Sequence, residues 1–191
     1  MRAAEKDCIL RAMLNLAVTA YPNTSSKELD LITAAQRGDL SAFNQLVRAH
    51  QELAYRFAFH VSENAPAAER ATKNAFESAY RHIRRWKGEP FRVWLLRLVL
   101  RECKRMRIRT HAANVLAPTP LEIGLAILNW DERVICVLAD VLGLTDDEIS
   151  DITDAPENHI RAKRSRARKQ IRDVLQLQRT MPQEWNALHL A

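Results

Sequence analysis

The apolar residues of this chain recur at intervals of three and four, which is the spacing of one face of an α-helix. Ala, Leu, Arg and Glu dominate these stretches, whereas glycine occupies only four positions. No segment shows the Val- and Ile-rich alternation, flanked by Asn-Gly or Asp-Gly turns, that is typical of strands and hairpins. The sequence therefore predicts an all-α protein.

Capping residues and prolines divide the 191 residues into two helical domains. Ser25 followed by Glu28 has the pattern of a capping box, so a domain begins close to these residues. The stretch at 110–120 has few large apolar side chains and ends in Pro-Thr-Pro, which is typical of a flexible linker. The predicted organisation is a helical N-terminal extension (1–26), a first domain (27–109), a linker (110–120), a second domain (121–178) and a tail (179–191).

The second domain has the pattern of a helix-turn-helix of the winged-helix-like class. Helices are predicted at 121–128, 131–142, 145–153 and 156–177. Thr145 and Glu148 form a second capping-box pattern, and Pro156 fits the first turn of the last helix. A short helix, a turn and a longer basic helix in this order can place the last helix in the DNA major groove.

The distribution of charge indicates two contacts with nucleic acid. The formal net charge of +6 is modest, but basic residues are concentrated at 81–109 and again at 161–172, with an acidic stretch at 111–154 between them. Separate basic blocks on separate helices are typical of proteins that neutralise phosphates at two places.

A basic stripe lies on the last helix, where Arg161, Arg164 and Arg168 follow one another at intervals of three and four. Phosphate contacts set the register of such a helix, and a few side chains read base edges. A solvated, charge-rich helix is the alternative interpretation. The candidate DNA-binding residues are Asn158, His159, Arg161, Lys163, Arg164, Arg166, Arg168 and Lys169.

Three segments match the pattern of one family. Residues 145–168 are similar to its S-x-x-E-I-A-x-I-L-G-x-P-x-G-T-V-K-S-R-L-x-R-A-R promoter-binding motif. Arg37-Gly-Asp-Leu-Ser-Ala-Phe43 resembles the family's opening helix, and Phe91-Arg-Val-Trp-Leu-Leu-Arg-Leu98 resembles its F-R-x-W-L-x-R-I segment. The matches keep the family's order and spacing over residues 27–177. The chain therefore resembles the extracytoplasmic-function sigma factors of the sigma-70 family.

The resemblance implies transcription initiation. In the family, the first domain binds the clamp helices of core RNA polymerase and helps to melt the minus-ten promoter element, and the second domain reads the minus-35 element. It implies that the loop at 86–91 captures an unstacked base and that the next helix holds the strand, whereas Trp94 lies in an apolar face and is expected in the core. The residues implied at the minus-ten element are Trp86, Lys87, Phe91, Arg92, Arg97, Arg101, Lys104 and Arg105, and those implied in polymerase binding are Glu69, Arg70, Lys73, Asn74 and Glu77.

Several positions depart from the family pattern. Where the family has an acidic D-A-E-D-x-x-Q-E-T-F stretch, residues 67–76 keep only the acid at Glu69. Asp154 replaces the usual turn glycine, which Asp tolerates because its short polar side chain visits left-handed conformations. Arg164 stands where leucine is usual. Two functions therefore stay open: a promoter-directing sigma factor, or a sigma-derived DNA-binding regulator or adaptor that no longer initiates transcription. An anti-sigma factor or another regulatory protein is a further candidate partner.

No pattern indicates an enzyme, a cofactor or a metal site. The six histidines are scattered, and Cys8, Cys103 and Cys136 lie far apart without ligand spacing, so they are predicted to be small buried hydrophobes in a reducing cytoplasm. The apolar stretch at 8–21 is interrupted by Arg11 and Asn15, which favours a short amphipathic helix over a signal peptide or a membrane span. We expect a cytoplasmic protein with no membrane or small-molecule partner.

Overall fold

The structure, a computed structural model, describes residues 25–107 and 119–180. All regular elements within these two ranges are helical. The first range contains α1 (Ser26–Gln36), α2 (Leu40–Ser62), α3 (Ala65–His82), a 3₁₀ turn (Ile83–Arg85) and α4 (Phe91–Arg107). The second contains α5 (Pro120–Ala126), α6 (Trp130–Cys136), a π-helical segment (Val137–Val141) that continues α6, α7 (Asp146–Thr153) and α8 (Glu157–Thr180).

The first domain is a bundle in which α2 contacts each of α1, α3 and α4. Its helices begin where side chains satisfy free backbone N–H groups. Asp39 accepts hydrogen bonds from the first turn of α2, and Asn64 accepts one from the first turn of α3. The interior contains fully buried Phe57 and Leu95, and burial of a side chain of this size contributes about 1.5–3 kcal/mol.

The second domain packs α5, α6 and α7 against the long helix α8. Complete capping boxes begin α5, at Thr119 and Glu122, and α7, at Thr145 and Glu148. Gly124 permits close contact between α5 and α8, because a Cβ atom there would lie 3.0 Å from Cγ2 of Ile171. The close packing of α8 against three helices fixes which of its faces points outward.

The two domains are joined by ion pairs as well as by apolar contact, and the main contact is between α4 and α7. Arg92 donates to Oε1 of Glu148 through Nε at 3.1 Å and Nη2 at 2.5 Å. Nε of Arg97 donates to the carbonyl oxygen of Asp151 at 2.9 Å, and Arg133 pairs with Glu63. Residues 25–106 have 15 basic and nine acidic side chains, whereas residues 119–176 have eight and 11, so opposite charge favours this contact.

The described residues confirm the predicted all-α class and the position of each helix in the second domain. The bounds at 121–128, 131–142, 145–153 and 156–177 are correct to within three residues, except that the second helix changes to a π-helix. The predicted N-terminal helix and most of the linker and tail lie outside the described residues. Independent folding of the two domains stays a prediction. None of the described helices has the length and apolar character needed to cross a bilayer.

We expect Glu148→Gln to loosen the contact between the domains. Glutamine still completes a capping box, so α7 keeps its start, but the charge that pairs with Arg92 is lost. A hydrogen bond between charged groups is worth about 1.5–3 kcal/mol, and both side chains here are only 12% exposed. Small-angle X-ray scattering should show a larger radius of gyration than that of the wild-type chain.

The matched control is Asp147→Asn, which removes a carboxylate from the same turn of α7. Asp147 is exposed and forms no ion pair with any other described residue. Its substitution should leave the scattering unchanged. Equal radii for wild type, Glu148→Gln and Asp147→Asn would show that the ion pair does not hold the domains together.

Candidate nucleic-acid interface

The turn between α7 and α8 has the geometry that a helix-turn-helix needs. Asp154 ends α7 in the left-handed conformation, with φ 58° and ψ 38°, which confirms the expectation for aspartate in place of glycine. Its N–H donates to the carbonyl oxygen of Ser150 at 2.9 Å. The Ser150 hydroxyl donates to the carbonyl oxygen of Ala155 at 2.8 Å. The turn therefore fixes the direction in which α8 leaves α7.

Helix α8 is anchored along one stripe and exposed along the opposite one. Ile160, Ala167 and Ile171 have no exposed surface, and they recur at the spacing of a single helix face. The predicted DNA-binding residues divide accordingly. Those that are exposed are Asn158, His159, Arg161, Arg166 and Lys169, whereas Lys163, Arg164 and Arg168 are partly buried.

Arg164 and Arg168 turn inward to a buried carboxylate. Asp140, in the π-helical segment, accepts from Nη2 of Arg164 at 3.0 Å, and from Nε and Nη2 of Arg168 at 3.2 and 2.5 Å. Nη1 of Arg164 also donates to Asp146 at 3.2 Å. Burial alone would raise the pKa of the Asp140 carboxyl, but the hydrogen bonds and charges of the two arginines hold that pKa below its usual value. Asp140 is therefore ionised and balances these arginines inside the domain.

Two other basic residues of α8, Arg161 and Lys163, pair with exposed carboxylates. Nη2 of Arg161 lies 2.8 Å from Oε2 of Glu157, and Nζ of Lys163 lies 2.8 Å from Oδ2 of Asp131. The Arg166 side chain is 66% exposed, and Nη1 lies 3.9 Å from Glu132. The exposed pairs of Arg161 and Lys163 are worth about 0–1 kcal/mol, so these two cations can exchange their partners for phosphates. Glu132 is buried, but its contact with Arg166 is long, and the exposed guanidinium of Arg166 can also reach a phosphate.

The basic face of α4 is partly covered by α7. Arg92 and Arg97 contact α7, whereas Arg101, Lys104 and Arg105 are exposed, as is Lys87 in the preceding loop. Arg105 pairs with Glu102, which lies one turn earlier on the same helix. Arg97, Arg101 and Lys104 line one wall of an open cleft of about 760 Å³ whose other wall is the α7 turn, residues 150–156.

The aromatic residues near α4 have different environments. Phe91 is fully buried against His50 and Trp94, and the 9% exposure of Trp94 confirms its predicted place in the core. Trp86 is partly exposed, and its Nε1 donates to the carbonyl oxygen of Glu89 at 3.0 Å. Of the two aromatic residues of the predicted loop, only Trp86 presents ring surface to solvent in this arrangement.

The predicted polymerase-binding residues share one exposed face of α3. They combine two acids, two bases and an amide, so this face carries no net charge. Asn74 donates to Glu102 at 3.3 Å, and Glu77 pairs with Arg81. The residues are Glu69, Arg70, Lys73, Asn74 and Glu77.

The described cysteines are buried thiols. Burial, with a smaller effect of the Glu102 charge, raises the pKa of Cys103 to about 12. Burial and the neighbouring Asp140 raise the pKa of Cys136 well above its usual value. These two cysteines are the buried hydrophobes that the sequence predicts, whereas Cys8 lies outside the described residues. Within the same residues, no group of three His, Cys, Asp or Glu side chains is placed to hold a metal ion.

Comparison with known proteins shows which proteins the chain is similar to. Residues 46–113 match the profile of sigma-70 region 2. The chain is 28% identical over 160 residues to the ECF RNA polymerase sigma factor SigE of Mycolicibacterium smegmatis. The chain therefore has a segment that matches sigma-70 region 2, and it is similar over most of its length to an extracytoplasmic-function sigma factor. The match to SigE covers 71% of this chain but only 62% of the length of SigE.

Two solved structures show the same fold. CnrH, in complex with the cytosolic domain of CnrY, superposes with a TM-score of 0.70 and 22% identity, over 80% of this chain and 99% of that one. The sigma factor RpoE in complex with the anti-sigma factor NepR, from Bartonella quintana, gives a TM-score of 0.66 and 18% identity, over 72% and 98% of the two chains. At these identities the likeness establishes the arrangement of helices.

The sequence does not predict the acidic partners of the basic residues in this chain. The excess of acid at 111–154 is visible in the sequence, but the pairing of Asp140 with α8 and of Glu148 with α4 is not. The available signal is charge complementarity between an acidic stretch and the two basic blocks that flank it. It indicates that ion pairs form, without indicating which residues form them.

We expect Cys103 and Cys136 to stay unmodified in the folded chain. A raised pKa keeps a thiol protonated, and the thiolate is the form that reacts. Treatment with a maleimide at pH 8, followed by peptide mass spectrometry, should find both thiols unlabelled in buffer and fully labelled in guanidinium chloride. Rapid labelling of either thiol without denaturant would mean that its helix opens easily.

Proposed function

We propose that this chain is a sigma factor of the extracytoplasmic-function type, which directs core RNA polymerase to specific promoters. The first domain binds polymerase and the single strand of the minus-ten element, and the second domain reads the minus-35 element. The observation that carries the proposal is the exposed face of α8, which a helix-turn-helix of the correct turn geometry presents to solvent. The chain contributes binding and not catalysis, and it acts where promoter DNA is found, in the cytoplasm.

At the minus-35 element, we infer that the outward face of α8 enters the major groove. Asn158 and His159 lie at the start of the helix, where recognition helices contact base edges. Arg166 and Lys169 lie further along the same exposed face and are suited to phosphates. Arg161 and Lys163 flank this face and can leave their exposed acidic partners.

At the minus-ten element, we infer that the strand follows α4 and that its unstacked base meets Trp86. Arg101, Lys104 and Arg105 provide exposed positive charge for the backbone, and an aromatic ring provides a stacking surface. Arg92 and Arg97 can contact the strand only after α7 separates from α4, because both arginines contact α7 in this structure. Binding of the strand along the whole helix therefore requires the domains to separate.

A second candidate function is that of a sigma-derived regulator that does not initiate transcription. The exposed face of α3 favours it, because Arg70 replaces an acid of the family pattern and Lys73 adds a second positive charge where that pattern has glutamine. Such a protein keeps promoter DNA as a partner and binds another protein. An anti-sigma factor is a candidate partner under both functions, since RpoE of Bartonella quintana forms a complex with the anti-sigma factor NepR.

We expect Arg166→Gln to weaken binding to all duplex DNA and to reduce its salt dependence. Each lost phosphate contact lowers the slope of log affinity against log salt by about 0.9. By contrast, Asn158→Ala should cost about 1–3 kcal/mol at one base position and leave the slope unchanged. Fluorescence anisotropy at four salt concentrations measures both effects. Unchanged affinity of both variants would exclude this face of α8 as the DNA-binding surface.

We expect the wild-type chain to co-elute with core polymerase and to support transcription from a promoter library. Arg70→Glu combined with Lys73→Glu should tighten that binding, because complementary charge sets the encounter rate and orientation at such interfaces. Each exposed charge is worth up to about 1 kcal/mol, so the gain should be about tenfold at most.

The control is Lys27→Glu combined with Arg48→Glu, which changes the net charge equally at exposed sites on α1 and α2. It should bind core polymerase as the wild type does. Tight wild-type binding that the α3 variant weakens would mean that α3 meets a surface of opposite charge. No binding and no transcription by the wild-type chain would favour the regulator function.

A further inference from the structure

The buried carboxylate of Asp140 sits where the supporting helix meets α8. It is 1% exposed and lies in the π-helical segment, in which the N–H of Leu142 donates to the carbonyl oxygen of Val137 at 3.0 Å. Its two main partners, Arg164 and Arg168, are one helical turn apart on α8, and their side chains are 20% and 14% exposed. One carboxylate thus holds two cations of the candidate recognition helix.

The promoter-binding motif of the extracytoplasmic-function sigma factors has leucine where this chain has Arg164. A leucine would lie on the buried side of α8 beside Ile160 and Ile171. Arg164 instead reaches Asp140 with one nitrogen and Asp146, in the first turn of α7, with another. It therefore connects α8 to both of the preceding helical segments of the domain.

We propose that Asp140 is a positioning residue for DNA recognition, which holds Arg164 and Arg168 away from the DNA and so fixes the face that α8 presents to the major groove. This inference rests on the proposed function of the second domain. It assigns Arg164 and Arg168 to the support of α8, and it leaves Asn158, His159, Arg166 and Lys169 as the face that reads and binds DNA.

The physical reason lies in the length and charge of an arginine side chain. A guanidinium released from Asp140 carries a full positive charge on a flexible stem near the DNA, and phosphates are the strongest available acceptors. Such a contact is the same for every sequence, so it adds affinity without adding discrimination. Holding both arginines inside the domain keeps the sequence-independent part of binding small.

The test uses the full-length chain and duplexes that the wild-type chain enriches from a random library, with scrambled duplexes for comparison. We expect Asp140→Asn to reduce the ratio of selected to scrambled affinity about tenfold, because α8 without its buried support shifts in the groove and loses about one base contact. The added phosphate contacts are the same for both duplexes and leave this ratio unchanged. We also expect the salt slope to rise by about 0.9 for each arginine that gains a phosphate. A structural weakening of the domain would lower the slope, so a rise is specific to released arginines.

Two further variants make the result decisive. Asp147→Asn is the matched control, because it removes an exposed carboxylate of the same domain that forms no ion pair with any other described residue, and it should leave the ratio and the salt slope unchanged. Arg164→Leu restores the residue of the resembled pattern and is expected to fold, which circular dichroism checks. Its salt slope should equal that of the wild type, because Arg164 does not contact phosphate.

Each outcome decides the inference. A fall of about 0.9 in the slope of Arg164→Leu would make Arg164 a DNA contact and overturn the proposal, even if Asp140→Asn did not fold. A folded Asp140→Asn variant with unchanged ratio and slope would also overturn it. A wild-type chain that enriches no sequence would instead contradict the proposed function, together with the inference that rests on it.

Discussion

One carboxylate, that of Glu148, determines both where the helix-turn-helix begins and how it meets the first domain. Its Oε2 accepts from the backbone N–H and the hydroxyl of Thr145, which closes the capping box of α7. Its Oε1 accepts from Arg92 of α4. The start of α7 is therefore fixed by the same side chain that attaches α7 to the basic helix. A change that removes both oxygens, such as Glu148→Ala, therefore acts on local helix structure and on domain arrangement together.

Much of the positive charge of this protein is balanced within the chain. On α4, Arg92 and Arg97 contact the acidic helix α7. On α8, most of the basic residues pair with acids of the second domain, as Arg164 does with Asp140 and Lys163 with Asp131. Contact with DNA at these places is an exchange of one acceptor for another. The free energy gained from phosphates is then only the difference between two ion pairs, except at exposed cations such as Arg101 and Lys104.

The helix starts are predictable from sequence because caps are local. Thr145 and Glu148 are three residues apart, so their pattern identifies the start of α7 directly. The Arg92–Glu148 pair joins residues 56 positions apart, and no sequence pattern specifies it. Phe91 shows a second limit of prediction from sequence. An aromatic residue at the start of a helix is equally suited to a buried core and to a loop that stacks on a base. Only tertiary packing decides, and here it buries the ring.

The π-helical segment has a consequence for how this site changes among homologues. A π-helical turn contains one residue more than the α-helical turn it replaces, and such turns frequently occur at functional sites. The extra residue rotates the side chains that precede it relative to those that follow, and Asp140 lies within that turn. The carboxylate network therefore depends on chain length as well as on residue identity. A homologue shorter by one residue here can retain the aspartate and both arginines and still lack their contact.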